Sequence, residues 1–230
     1  MWWRGSRNGL GCADRANLPR VRTRLTPMQQ AVVDAGRPLP QLTDPLEVEL
    51  QVSAFVGPFA DNEALWEAVV QHLKEVPSRR SAALLTALAH LLPGRPGQWA
   101  EQAAQEQPEP PWDLGKLEFR ECWIGDRSLD AGYLALLCSY AYEDEPHAMV
   151  FMIDEISGSL TRHAFITRRV DEALERLKQQ VRLELISAEA AHWLLSRSYD
   201  RFERRPGLGV SVDVHQTRLV ARRRIRLAMN

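Results

Sequence analysis

Imidazole and carboxylate side chains held within reach of one another can do acid–base chemistry or bind a metal. In this chain His147, Asp154 and His163 are the set that could come closest to such a site. Strand parity argues against it. Residues 147, 149, 151 and 153 of one extended segment share a face, and 154 has the opposite parity. A hairpin pairing Ile153 with Leu160 puts His163 on the face of Val150 and Met152, away from His147. Only a bulge would gather the three. The simpler expectation is a histidine at a strand end, an aspartate capping a turn and a partly buried strand histidine, with no metal and no cofactor.

Glu189-x-x-His192 places a carboxylate and an imidazole one helical turn apart, the spacing that di-iron bundles use twice. Here it occurs once, and His192 borders an apolar stripe through Leu195 and Tyr199, so a histidine at the edge of the core is expected. The acidic run Glu143-Asp144-Glu145 lacks the ligand number and spacing of a calcium loop and reads as a solvated hairpin tip. Phosphate-binding, dinucleotide-binding, nucleophile-elbow and zinc-protease motifs are missing from the sequence. Arg218, Arg222 and Arg226 recur at i, i+4 and i+8 with Arg223 and Arg224 beside them, so three guanidinium groups share one helical face. Like charges at that spacing cost a few tenths of a kcal/mol per pair. Acids from elsewhere in the chain neutralise them, they are simply solvated, or they form a face for an anionic partner.

The elements that would position these residues follow from periodicity and punctuation. Residues 1–42 carry Gly, Arg and Pro without a sustained period and read as a disordered or loosely ordered basic arm. A helical subdomain follows over 43–107. Its first helix starts at Asp44-Pro45-Leu46-Glu47, a cap, a proline at the first helical position and an acid at the third. Apolar residues at helical spacing continue through Leu65–Leu73 and Leu84–Leu92. The polar, proline-rich stretch 105–111 can neither extend a helix nor join a sheet, and marks the boundary. Beyond it, over 108–230, the period changes to two. Strands near 117–124, 133–142, 149–153 and 160–166 predict an antiparallel meander, followed by a short edge strand at 183–186 and helices on one face of the sheet. The fold class is therefore α+β, an N-terminal helical bundle packed on a C-terminal antiparallel sheet.

Composition narrows the functional classes. The chain of 230 residues has a formal charge of −1, and that total hides a segregation. Residues 1–26 hold six Arg against one acid, 27–200 hold 15 basic against 27 acidic residues, and 201–230 hold eight Arg against two acids. No apolar run approaches the ~18 residues of a membrane span, and no secretion signal is evident, so a soluble cytoplasmic protein is expected. Cys12, Cys122 and Cys138 form no C-x-x-C pair, and the latter two sit in apolar runs, which suits small buried hydrophobes in a reducing compartment.

The second half resembles a family of uncharacterised bacterial proteins, best known from high-GC Gram-positives, that join a helical first half to a compact α+β module. The pattern falls on His147-Ala148, Asp154, Gly158 and Ala164-Phe165. This chain departs from it at Asp154-Glu155-Ile156, Gly158-Ser159 and Arg162-His163. The resemblance implies architecture and no activity. The expected function is that of a non-enzymatic interaction or regulatory protein with a protein partner. The alternatives are an accessory nucleic-acid binder using its Arg-rich ends, with Arg218, Arg222 and Arg226 as the contact face, and an enzyme whose site sequence cannot reveal.

Overall fold

The structure, a computed structural model, describes residues 24–125, 132–204 and 210–227. Order begins earlier than the arm reading placed it. Thr26 caps helix α1 (Pro27–Ala35) in a reciprocal box: its hydroxyl accepts from the Gln29 amide, and the Gln29 side chain accepts from the Thr26 amide at 2.8 Å. Pro27 sits at the first helical turn, where its missing N–H costs nothing, so it starts a helix rather than breaking one. Pro38 and Pro40 belong to a 3-10 turn over Leu39–Gln41; Leu39 is wholly buried, and its carbonyl accepts from Trp112 Nε1 at 3.0 Å. Residues 24–42 are thus part of the fold, which corrects the arm assignment over that range. Its remainder, 1–23, lies outside the described residues.

Asp44 caps α2 (Pro45–Val56) by accepting from the Leu46 amide at 3.0 Å. Asn62 and Ser78 do the same for α3 (Glu63–Glu75) and α4 (Arg79–Leu91), and α5 (Gly94–Ala104) completes the bundle. The exposed segment 105–111 then leads to the strands β1 (Leu117–Gly125), β2 (Tyr133–Tyr142), β3 (Glu145–Asp154), β4 (Leu160–Thr167) and β5 (Leu183–Ile186). Their order is β4-β3-β2-β1-β5, all antiparallel, with β5 a short edge as its sequence implies. Between β4 and β5 lies α6 (Val170–Lys178); α7 (Ala188–Arg204), α8 (Val212–Gln216) and α9 (Arg218–Leu227) close the chain. Among the described residues no helix is long and apolar enough to cross a membrane.

The two faces of the sheet are covered unequally. Leu136, Cys138 and Tyr140 of β2 with Met149 and Phe151 of β3 point into one core, shared with Val48, Val52, Leu85 and Leu88 of the bundle and Leu219, Ala221 and Ile225 of α9. Leu137, Ala148 and Val150 point the other way, against Ala173, Leu174 and Leu177 of α6. The two halves therefore share one continuous core, although an exposed connection joins them. This makes an expected result: a glutamate-specific protease should cut first after Glu106, and the two fragments should stay together in size-exclusion chromatography. Cleavage inside β2 or β3 before Glu106, or fragments that separate, would contradict the shared core.

The outer edge of β4 is not open. Ser211 donates its amide and its hydroxyl to the Arg162 carbonyl at 3.1 and 3.0 Å, the Ala164 amide donates to Asp213 at 2.9 Å, and the Thr217 hydroxyl donates to the Ala164 carbonyl at 3.1 Å. The segment before α9 thus satisfies backbone groups that would otherwise invite another strand.

Candidate functional site

A carboxylate in a core is costly unless cations and hydrogen bonds replace its water. Glu49, in the middle of α2, is completely buried, and α9 brings two consecutive arginines to it. Arg224, also completely buried, holds it bidentately, Nη1 to Oε1 at 2.6 Å and Nη2 to Oε2 at 2.5 Å. Arg223 Nη1 pairs with Oε1 as well and also donates to the Tyr142 hydroxyl, and its Nη2 donates to the Leu114 carbonyl. Arg224 Nη2 reaches His147 Nε2 at 2.8 Å, so that nitrogen accepts and the ring proton belongs on Nδ1. The His147 ring lies nearly parallel to those of Tyr140 and Tyr142, with centroids 5.9 and 5.8 Å away.

The protonation states follow from these neighbours. Burial raises the Glu49 pKa, but Arg224 and Arg223 outweigh it and hold the carboxyl at about 2. Burial and the Arg224 charge push His147 down to about 4. Burial pushes the Tyr142 phenol up. Near neutral pH the cluster therefore has one carboxylate, two guanidinium ions and a neutral imidazole, a buried excess of one positive charge. It ties α2, α9, β2 and β3 together at the junction of the two halves.

Tyr142 and Leu114 have a second role. Both line a cleft of about 820 Å³ between the 107–114 segment, the start of α2, and the turn from β2 to β3. Two ion pairs cross it, Arg168 with Asp44 and Lys116 with Glu143, the latter at 2.8 Å. Glu109, Asp113 and Glu145 also line it and form no ion pair within 4 Å among the described residues, although Asp113 accepts from the Gly115 amide at 2.7 Å and lies near enough to Lys116 to join Glu143 in raising its pKa. The cleft is acidic on balance, with prolines along one wall.

The residues singled out from sequence are dispersed. His147 stands at the start of β3 inside the buried cluster, and Asp154 ends the same strand, seven residues and so roughly 23 Å away. Asp154 accepts from the Ser157 amide at 2.9 Å and the Ser157 hydroxyl at 2.6 Å, and pairs with Arg162 at 3.1 Å. The β3–β4 register differs from the assumed one, with Ile153 opposite Thr161 and an irregularity between Met152 and Ile153, yet His163 still lies opposite Met152 and away from His147. It is exposed, with Nδ1 3.9 Å from Asp213. His192 contacts the Ile225 carbonyl and, at 3.1 Å, the Ser196 hydroxyl. Among the described residues no three His, Cys, Asp or Glu side chains are grouped to hold a metal ion.

Arg218 and Arg222 meet acids from the protein itself. Arg218 reaches Asp61 at 2.6 Å and Glu203 at 3.4 Å, and Arg222 pairs with the same two residues. Their side chains keep only 14% and 18% of their exposure. Arg226 donates to the His90 carbonyl at 3.3 Å. The neighbours Arg223 and Arg224, which sequence reasoning treated as flanking charge, are the ones that build the buried cluster. Comparison of the chain with family models, with curated protein sequences and with solved structures gives no match.

Proposed function

We propose that this protein is a non-enzymatic interaction protein, and that its partner seats a cationic, extended segment in the acidic cleft between the two halves. The observation that carries this reading is the set Glu109, Asp113 and Glu145, three carboxylates facing one 820 Å³ cleft with no ion-pair partner within 4 Å among the described residues. The cleft is assembled from segments far apart in sequence, so it exists only when the halves are packed. Behind it, Arg223 fixes Leu114 and Tyr142, which gives the partner a preformed wall. A cytoplasmic setting belongs to the same reading, and the free, buried Cys122 and Cys138 suit it. So does kinship with the bacterial α+β family, which the order of helical half and sheet supports. The alternative of nucleic-acid binding through Arg218, Arg222 and Arg226 draws less support, since two of the three are paired with Asp61 and Glu203.

A fluorescein-labelled hexa-arginine peptide tests the reading by anisotropy. It should bind at low salt, while a hexaglutamate peptide should not. The double variant Glu109→Gln/Glu145→Gln should weaken binding about tenfold, the effect of losing two exposed charge pairs worth at most about 1 kcal/mol each. Failure to bind, or equal binding to the variant, would remove the cleft as the partner's site.

A further inference from the structure

The surface of α7 carries an arginine over an exposed tryptophan; the similar pair on α5, Arg95 over Trp99, differs in that Arg95 is paired with Glu63. Trp193 is 58% exposed, an indole that contributes little to the core. Arg197, one turn further, lays its guanidinium over that ring, with Cζ 5.3 Å from the centroid. Arg201 follows at the next turn, and Arg204 ends the row. Together with Ser196 and Asp200 these side chains line a shallow groove of about 380 Å³ made by this one helix. The charges in it are not alike. Asp200 pairs with Arg204 at 3.3 Å, whereas Arg197 and Arg201 have no acidic partner among the described residues. On α9, by contrast, Arg218 and Arg222 are both neutralised by Asp61 and Glu203. Arg201 lies against the β3–β4 turn, where Gly158, at a φ of 81°, leaves room for its guanidinium.

We infer that the outward face of α7 binds single-stranded nucleic acid, with Trp193 stacking on a base and Arg197 and Arg201 pairing with the phosphates beside it. With Arg197 over one face of the half-exposed indole, a base stacks on the other, and the adjoining phosphates are the natural partners of guanidinium groups that have no carboxylate among the described residues. An acidic peptide would answer the two arginines but leaves the exposed tryptophan without a use. Residues at i, i+4 and i+8 lie along one side of a helix about 6 Å apart per step, so indole and guanidinium groups form a row along which a strand can lie. The face provides no hydrogen-bond pattern dedicated to one base edge, so binding is indifferent to sequence. The acidic middle of the chain opposes it at long range, which makes it weak and strongly dependent on salt.

Anisotropy of a fluorescein-labelled decathymidylate, with the full-length protein at about 20 mM salt, should show saturable binding. The slope of log affinity against log salt should be near −1.4, the value for about two phosphates on a single strand. Trp193→Ala should lower affinity at least about fivefold without changing the slope, and Trp193→Phe should recover part of the loss. Arg197→Ala/Arg201→Ala should bring the slope close to zero. Lys178→Ala, an exposed lysine on α6, should change neither. The inference is overturned if the oligonucleotide does not bind, if Trp193→Ala binds it as well as the wild type, or if hexaglutamate competes as effectively as unlabelled decathymidylate, which would make the face a site for acidic protein.

Discussion

Glu49→Gln is expected to be among the most damaging single substitutions in the protein, lowering stability by about 3–5 kcal/mol. The side chain stays nearly isosteric, so no cavity opens. What changes is that Arg223 and Arg224, 6% and 0% exposed, lose the only carboxylate they pair with among the described residues and remain as two cations in the core. For a chain of this size that loss corresponds to a fall in Tm of roughly 6–20 °C. Urea and thermal unfolding of the variant measure it directly. A Tm within about 2 °C of wild type would show that the cluster is hydrated or relaxed in a way this geometry does not allow. The triple variant Glu49→Leu/Arg223→Met/Arg224→Met should recover much of the loss, because removing all the buried charges together also removes their desolvation cost.

Acid should destabilise the protein in two stages. His147 is held at about 4 against an ordinary value near 6.5, so between those pH values the unfolded chain binds a proton that the folded chain does not, and stability falls as pH falls. The difference amounts to about 3 kcal/mol by pH 4. His90, held down by burial and by Arg223, acts in the same direction. Glu49 has its folded pKa depressed to about 2, so its contribution is complete above the unfolded value of 4.5 and is lost as pH drops from there through 2, by about another 3 kcal/mol. Urea midpoints at pH 7.5, 5.5 and 4.5 should therefore decline steadily. His147→Gln keeps an acceptor for Arg224 but cannot titrate, and should flatten the upper part of that decline. Equal midpoints for wild-type protein at pH 7.5 and 4.5 would refute a buried, neutral His147.

How much of this was legible in the sequence depended on whether the signal was local. Asp44-Pro45 announced a helix start because the cap and its amide are two residues apart. Alternation marked the first strand and short apolar runs between turns marked the others, and parity alone kept His163 away from His147 even though the assumed register was off. The box Thr26-x-x-Gln29 was present too, but prolines on both sides made 1–42 look unstructured. Glu49 could not be recognised, since nothing near α2 distinguishes it from a solvated glutamate; its partners lie 174 and 175 residues away. Arg223 and Arg224 were hidden by the periodic row Arg218, Arg222 and Arg226, whose regular spacing drew the eye to the opposite side of the same helix. The cleft was likewise invisible, because its walls come from segments that only the tertiary packing brings together. The row Trp193, Arg197 and Arg201 did have a local signal at i, i+4 and i+8, but only exposure separates such a row from a core stripe.

The long sequence separation between Glu49 and Arg224 also bears on how the protein is made. At roughly 5–20 residues per second, Glu49 leaves the ribosome about 10–35 s ahead of the arginines that neutralise it. Throughout that interval the bundle cannot close around α2 as it does in the finished molecule, because closing would strand a lone carboxylate in the core. The helical half must therefore wait, loosely held, until α9 has emerged, and a nascent protein released before Arg223 would lack the means to complete even the part already synthesised.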